Sequence, residues 1–221
     1  MAIGRLKHEG ADYRKRRDEL QRAEIELRDQ RERVAALRRK LPRDTAIDDA
    51  VFAEIRDGRP QAVRLSELFT APEKPLVLMH FMFGKKQAAP CPMCTAWADG
   101  YDGIVPHLLQ RVNFAVLVAG DAGAFGAYAR SRGWRQLRAV SAAESDLKRQ
   151  LGFEEEDGAQ HPGVSVFLRN PDGSLVHSYS QSAILGAGEL RGMDLLSPLW
   201  HFLDLTPEGR GDWFPAKSYS G

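Results

Sequence analysis

Two cysteines, Cys91 and Cys94, are the only cysteines of this chain, and they stand three positions apart. Thiols at this spacing can exchange electrons as a dithiol and a disulfide, can supply two ligands to a metal site, or can simply pack in a core. They lie in the segment "AAPCPMCTAWADGYDG", with Pro92 and Met93 between them. The spacing does not decide among these chemistries, so the elements that position the thiols must.

Composition excludes several classes of function. The 221 residues are 43% hydrophobic and carry a formal net charge of +1, which gives no electrostatic reason to expect a nucleic-acid partner. No segment approaches the roughly 20 consecutive apolar residues that span a bilayer, and the start "MAIGRLKHEG" lacks the apolar core of a signal peptide. We therefore expect a cytoplasmic protein without a membrane partner. In that compartment a C-x-x-C pair favours catalysis, redox sensing or metal binding over a structural disulfide.

The N-terminal part is predicted to be one long charged helix. Residues 12–40 contain eleven Lys or Arg, seven Asp or Glu, and neither Gly nor Pro. Apolar or aromatic residues recur every seven positions, at Leu6, Tyr13, Leu20, Leu27, Val34 and Leu41. This stripe is compatible with a coiled-coil homodimer through the helix, with a basic arm, or with a solvated helix that lays one narrow face on its own domain or a sister subunit. The second heptad line is weak, which favours the last interpretation.

Pro42 ends this helix, so we predict a helical arm over residues 1–44 and a second domain over 45–221. The second domain is expected to begin with a β-hairpin that turns at Asp57-Gly58. The apolar run "LVLMHFMF" at 76–83 then predicts a strand buried on both faces, as in a parallel or mixed sheet. A helix containing the second cysteine follows, and its internal glycines and Pro106 predict that it is kinked or split.

The rest of the chain alternates strands and helices. The segment "VNFAVLVAG" reads as a second buried strand, and Asp121 caps the next helix. A short strand, a short helix, the hairpin "VSVFLRN–PDGS–LVHSYS" and a closing helix capped by Asp194 complete the order. Parallel units that end in an antiparallel pair predict an α/β sandwich with a central mixed sheet.

The cysteines follow the first buried strand and open the next helix. Pro92 suits the first helical position, because its fixed φ is helical and its missing N–H has no partner to lose. A thiol at a helix N-terminus faces unpaired N–H groups, which favour the thiolate. We therefore expect Cys91 to be the exposed nucleophile and Cys94, one turn further on, to be the buried resolving thiol of a redox-active disulfide.

This arrangement resembles the thioredoxin fold. The segments "FMFG…CPMCTAWADGYDG", "GVSVFLRN" and "LWHFLDLTPEGRG" are similar to those of a bacterial family known as DUF899, and the likeness runs from about residue 45 to the end. The resemblance implies a thioredoxin-like dithiol-disulfide oxidoreductase without a cofactor. Its partners would be protein or small-molecule thiols and disulfides.

The sequence departs from related thiol proteins at three positions. Pro90 stands where thioredoxins carry Trp, and Ala88 stands where peroxiredoxins need Thr, which argues against a peroxiredoxin-type peroxidase. Pro162 is the candidate for the proline that thioredoxins place beside the dithiol, although Gly163 occupies the aligned position.

Metal binding is the alternative for the same thiols. A structural zinc site needs four ligands and the chain has no second C-x-x-C pair, so copper(I) is the better candidate metal. Its ligands would be Cys91 and Cys94, with Met93 and with His161 or His177 as the further donors.

Other residues near the dithiol have two interpretations. A substrate surface is predicted to include Pro92, Met93, Trp97 and Pro162. The residues Asp99, Tyr101 and Asp102 either extend that surface or serve the fold. His161 could approach the dithiol and stabilise its thiolate, whereas His80 is expected to be a core residue held by a hydrogen bond.

Overall fold

The computed structural model describes residue 4, residues 8–186, residue 192, and residues 196–209 and 211–219. The chain divides into two compact units, Met1–Pro42 and Arg43–Gly221. The first unit contains the helix α1, Ala11–Arg39, which confirms the predicted N-terminal helix. Its heptad side chains Tyr13, Leu20 and Leu27 are exposed. The homodimer through this helix stays a prediction.

The second unit alternates strands with short helices. Its described strands are β1 (Ala46–Ile47), β2 (Val51–Arg56), β3 (Arg59–Arg64), β4 (Leu76–His80), β5 (Asn113–Val118), β6 (Ala139–Ser141), β7 (Gly163–Arg169) and β8 (Leu175–Ser182). Its helices are α2 (Pro92–Leu108), α3 (Ala122–Arg132), α4 (Leu147–Gln150) and α5 (Leu199–Leu203), and a 3₁₀ turn spans Leu65–Leu68. No helix in the described part of the chain has the length and hydropathy to cross a bilayer.

Among the described residues, the strands form one mixed sheet in the order β1-β8-β7-β4-β5-β6-β2-β3. The central strands β4, β5 and β6 are parallel, and the pairs on either side of them are antiparallel. The hairpin of β2 and β3 turns at Asp57-Gly58, as predicted, where both residues have positive φ (52° and 75°). The α/β fold with a central mixed sheet and a preceding charged helix is therefore confirmed.

Side chains that alternate along the central strands form two cores, one on each face of the sheet. On β4, Met79 packs in the cluster that includes Cys94, Trp97 and Phe125 from α2 and α3. Its neighbour Leu78 packs in the other cluster, with side chains from the 3₁₀ turn and α4. The sheet thus separates the dithiol helix from the face on which α4 lies.

Two details differ from the sequence-based expectations. Helix α2 is one continuous element, because Gly100 and Gly103 keep helical backbone and Pro106 falls in its last turn. Strand β1 was not predicted, since its two residues carry no periodic signal. The predicted cap Asp194 lies outside the described residues, and the closing helix begins after Pro198.

Candidate functional site

The dithiol lies where β4 gives way to α2. Cys91 is the residue before the helix, with an extended backbone (φ −65°, ψ 129°), and Pro92 occupies the first helical position. The Cys91 N–H donates to the Met82 carbonyl at 3.2 Å, and its carbonyl accepts from the Thr95 N–H at 2.9 Å. The backbone is thus fixed on both sides of the first thiol. Both cysteines are free thiols in this structure.

The segment between β4 and the cysteines is held against the sheet. Beyond the end of β4, Ala119 donates its N–H to the Phe83 carbonyl at 3.1 Å. Gly84 follows with a φ of 104°, and a Cβ there would stand 2.1 Å from the Gly120 nitrogen. Only glycine fits this close approach, because any side chain would overlap the neighbouring backbone.

The electrostatics of Cys91 favour its thiolate. A hydrogen bond from the Cys94 thiol is the largest influence and lowers the pKa of Cys91 to about 6, although partial burial opposes the shift. The backbone N–H groups of Cys94 and Met93 at the start of α2 lower the pKa further. Cys91 is therefore a partly exposed thiol that is largely ionised at neutral pH.

Cys94 has the opposite environment. Its side chain has no exposed surface, and burial raises its pKa well above the ordinary range, with the Cys91 charge adding to the shift. The Met82 N–H and the charge of Lys148 act in the other direction. The pair therefore divides into an ionised outer sulfur and a protonated inner sulfur, which is the division of roles that dithiol exchange requires.

The predicted substrate surface is mostly covered. Met93 and Trp97 are 5% and 1% exposed because they face the core on the inner side of α2, and Pro162 is buried before β7. Of the four predicted surface residues, only Pro92 retains appreciable exposure beside Cys91. Met93 and Trp97 are four residues apart and therefore lie on the same face of α2, which packs against the sheet.

The acidic residues of α2 bind within the chain. Asp102 accepts hydrogen bonds from the N–H groups of Arg135, Gln136 and Leu137 at 2.9, 2.7 and 3.1 Å. The Asp99 carboxylate accepts hydrogen bonds from the Arg132 guanidinium and from the indole N–H of Trp134. Tyr101 is buried and donates to the Leu196 carbonyl. Their interactions support the structural interpretation of these three residues.

Replacing Asp102 by alanine is expected to lower the free energy of unfolding by about 1–3 kcal/mol, because three backbone donors lose a charged acceptor. The rate at which Cys91 is alkylated should not change. Urea denaturation measures the first quantity and alkylation kinetics the second. Asp102→Asn keeps one oxygen acceptor and should lose less stability. A large change in Cys91 reactivity would instead assign Asp102 to the site.

Of the predicted metal ligands, the histidine His161 contacts a carboxylate, whereas three others lie together on the chain. His161 Nε2 contacts Glu155 Oε1 at 2.6 Å, so a carboxylate is its partner. Within the described residues, no group of three or more His, Cys, Asp or Glu side chains could hold a metal ion. Of the proposed copper ligands, the structure brings together Cys91, Met93 and Cys94 at the start of α2.

Two buried polar residues near this region carried weak or no sequence signal. Lys148 has no exposed surface, although "ESDLKRQLGF" reads as an ordinary surface helix. Its charge interacts with Cys94. His80 is also fully buried, and its Nε2 lies 2.8 Å from Ser165 Oγ, which confirms the expected hydrogen-bonded core histidine. The charged run around Lys148 gave no indication of burial.

Solved structures similar to this one share its fold. The reduced Prx3 from Vibrio vulnificus in complex with hydrogen peroxide is 16% identical, with a TM-score of 0.50, over 68% of this chain and 93% of that chain. The mitochondrial 2-Cys peroxiredoxin from Plasmodium falciparum is 13% identical, with a TM-score of 0.48, over 72% of this chain and 95% of that chain. No curated protein matches the chain. The fold belongs to the thioredoxin-like class.

Within that class, a family can be assigned. The family described as "Bacterial protein of unknown function (DUF899)" matches residues 6–220. The chain therefore belongs to this family, which confirms the resemblance seen in the sequence. The match includes the dithiol segment and all of α1.

Proposed function

We propose that this protein is a thiol-disulfide oxidoreductase whose redox centre is the pair Cys91 and Cys94. The observation that supports this function is the position of two free thiols at the start of α2, where Cys91 is partly exposed and Cys94 is buried. The Cys94 thiol lowers the pKa of Cys91 to about 6, and burial raises the pKa of Cys94 well above its ordinary range. The thioredoxin-like fold agrees with it by analogy only. The substrates would be protein or small-molecule disulfides.

The exchange would proceed in two steps. The Cys91 thiolate attacks one sulfur of a substrate disulfide, which forms a mixed disulfide and releases the other substrate sulfur as a thiolate. Cys94 then loses its proton and attacks the Cys91 sulfur, and the second substrate sulfur leaves. The substrate disulfide gains two electrons and the dithiol loses two, so Cys91 and Cys94 end as a disulfide.

The trapping experiment uses Cys94→Ser with oxidised glutathione as the disulfide. The serine hydroxyl still donates to Cys91 but cannot resolve the mixed disulfide. We expect intact-mass spectrometry to show one glutathione on Cys91 in this variant. The wild type should instead lose both thiols without an adduct, because Cys94 completes the reaction.

Cys91→Ser is the matched control and should remain unmodified, since Cys94 is buried. Absence of an adduct on Cys94→Ser would contradict the proposed function. Copper bound in equal proportion to the purified protein, and lost from Cys91→Ser, would support the metal-binding alternative instead.

A further inference from the structure

A β-bulge in β8 brings a serine and a histidine together on one side of the sheet. The register of β7 and β8 shifts between Val166 and Phe167, so that Ser178 is an extra residue opposite β7. Side chains three positions apart on a regular strand point to opposite faces, whereas the extra residue turns His177 and Ser180 to the same side. Ser180 Oγ lies 2.8 Å from His177 Nε2. Bulges re-aim side chains in this way beside many active sites.

Two further side chains connect this pair to the core. Ser165 pairs with Ser180 across the two strands, and their Oγ atoms lie 2.6 Å apart. Ser165 Oγ also lies 2.8 Å from Nε2 of His80, which ends β4 and has no exposed surface. The two serines and the two histidines therefore form one hydrogen-bonded chain that runs from the core to His177.

The inner end of this chain fixes the direction of its hydrogen bonds. His80 Nδ1 has no hydrogen-bond partner within the described part of the chain. A buried N–H group without an acceptor is rarer than a lone pair without a donor, so the proton of the neutral ring belongs on Nε2, where Ser165 accepts it. Ser165 then donates to Ser180, and Ser180 donates to His177 Nε2. The Ser180 hydroxyl thus directs its proton at a ring nitrogen that carries a lone pair.

His177 has the properties of a base at neutral pH. Burial lowers its pKa, so the ring is neutral and Nε2 can accept a proton. A hydrogen bond to the Tyr179 backbone acts on the pKa in the other direction. A backbone group that favours the charged ring is a carbonyl, so Nδ1 carries the proton and Nε2 the lone pair. This tautomer agrees with the direction that His80 imposes from the other end of the chain.

The serine and the histidine face a pocket that opens to solvent. Both are partly exposed and line a cavity of about 390 Å³, a size that suits a small ligand. Residues around β1 and at the end of α4 complete its walls: Thr45, Ala46, Ile47, Asp48, Gln150 and Leu151. Three of these are apolar and suit a short acyl chain, and Thr45 and Gln150 carry donors for a carbonyl oxygen. Asp48 is the other ionisable residue among the described ones in the walls, and its carboxylate disfavours an anionic ligand.

We propose that Ser180 and His177 form a second active site, in which Ser180 is the nucleophile and His177 the base for the hydrolysis of small uncharged carboxylic esters. A serine becomes a nucleophile when an adjacent base takes its proton, and the 2.8 Å contact inside the pocket supplies that arrangement. The inference goes beyond the exchange function and is independent of it, since neither cysteine takes part.

Hydrolysis would proceed in two steps with water as the second reactant. In the first, the Ser180 O–H bond breaks, its proton binds to His177 Nε2, and Oγ forms a bond to the ester carbonyl carbon. The alkoxide leaves with the electron pair of its bond to that carbon and takes the proton from His177, which releases the alcohol. In the second step water attacks the acyl group while His177 accepts its proton. The carboxylic acid leaves, and Ser180 Oγ recovers that proton.

Diisopropyl fluorophosphate tests the nucleophile, because it phosphorylates an activated serine hydroxyl and releases fluoride. We expect intact-mass spectrometry to show one diisopropylphosphoryl group per chain, and peptide mapping to place it on Ser180. Ser180→Ala should stay unlabelled. Ser178→Ala on the same strand is the matched control and should be labelled as fast as the wild type. His177→Gln keeps a hydrogen-bond acceptor but no base, so labelling should slow by about a hundredfold.

Turnover is measured with p-nitrophenyl acetate. A thiolate also attacks this ester, so the protein used is the double variant Cys91→Ser with Cys94→Ser, which retains the second site. We expect it to release p-nitrophenolate catalytically and to lose this activity when Ser180→Ala is added. Ser180→Ala in the wild-type background should leave the alkylation rate of Cys91 unchanged, which shows that the variant is folded.

Three outcomes would overturn the inference. One is a wild-type protein in which Ser180 stays unlabelled, and another is labelling that is equally fast in His177→Gln and the wild type. The third is hydrolysis by the double cysteine variant that is absent or that persists after Ser180→Ala. None of these results bears on the exchange function, which the glutathione experiment tests separately.

Discussion

Replacing Lys148 by methionine is expected to raise the free energy of unfolding by about 3 kcal/mol at neutral pH, because the fold holds an ammonium group without exposed surface. Burial lowers the pKa of Lys148 to about 8, against an ordinary value of 10.5. Methionine has a similar length and carries no charge. A single substitution in the interior that stabilises the fold by this amount would be unusual.

The stability gained by replacing Lys148 depends on pH, because the pKa of this lysine is lower in the folded chain than in the unfolded chain. Above pH 10.5 the amine is neutral in both the folded and the unfolded chain, so the substitution gains nothing from charge. As the pH falls from 10.5 to about 8, the unfolded chain binds a proton that the folded chain does not, and the wild type loses stability. Below about 8 both states are protonated and the loss is complete.

Urea denaturation of both proteins at neutral pH and near pH 10.5 measures this difference. The gain in Lys148→Met should be present at neutral pH and should shrink at the higher pH. Lys217→Met, at an exposed lysine, is the control and should show no such dependence. Equal stabilities of Lys148→Met and the wild type at both pH values would contradict the buried charge.

The second large effect concerns alkylation of the reduced protein by iodoacetamide. At pH 6 we expect Cys91 to react about twentyfold faster than an ordinary thiol. Its pKa of about 6 makes half of it thiolate, and this gain outweighs the lower nucleophilicity of a less basic sulfur. The rate should fall tenfold per unit below pH 6 and level off above pH 7. Cys94 should stay unlabelled because it is buried.

Cys94→Ala sharpens this experiment, since it removes the hydrogen bond that most lowers the pKa of Cys91. The midpoint of the pH–rate curve should move upward in that variant. Cys94→Ser retains a donor and should keep the midpoint closer to that of the wild type. Peptide mapping after alkylation identifies the labelled residue. A wild-type midpoint near the ordinary value of 9, unchanged in Cys94→Ala, would contradict the assigned electrostatics.

The parts of the fold that sequence could predict depend on local signals. The run at 76–83 indicated the buried strand, Asp57-Gly58 fixed the hairpin turn, and Pro92 marked the start of the dithiol helix. Each signal acts within a few residues of the chain. The helix start also predicted different roles for Cys91 and Cys94, and the two thiols have pKa values shifted in opposite directions.

The parts that sequence could not predict depend on contacts between distant elements. Lys148 is buried because α4 packs on the sheet, and its own segment is charged like a surface helix. Ser165 and Ser180 meet through the register of β7 and β8, which no local pattern specifies. The contact between His161 and Glu155 is likewise one that the sequence did not indicate.

The ends of the eight-stranded sheet bear on how copies of this protein can associate. A sheet can add strands from another chain only at an outer strand with free, regular backbone groups. At one end β1 has just two residues, and at the other β3 carries Pro60 between charged arginines. Both ends therefore resist growth by strand addition. A homodimer, if it forms, is expected to use side-chain surfaces and not a sheet continued from one subunit into the next.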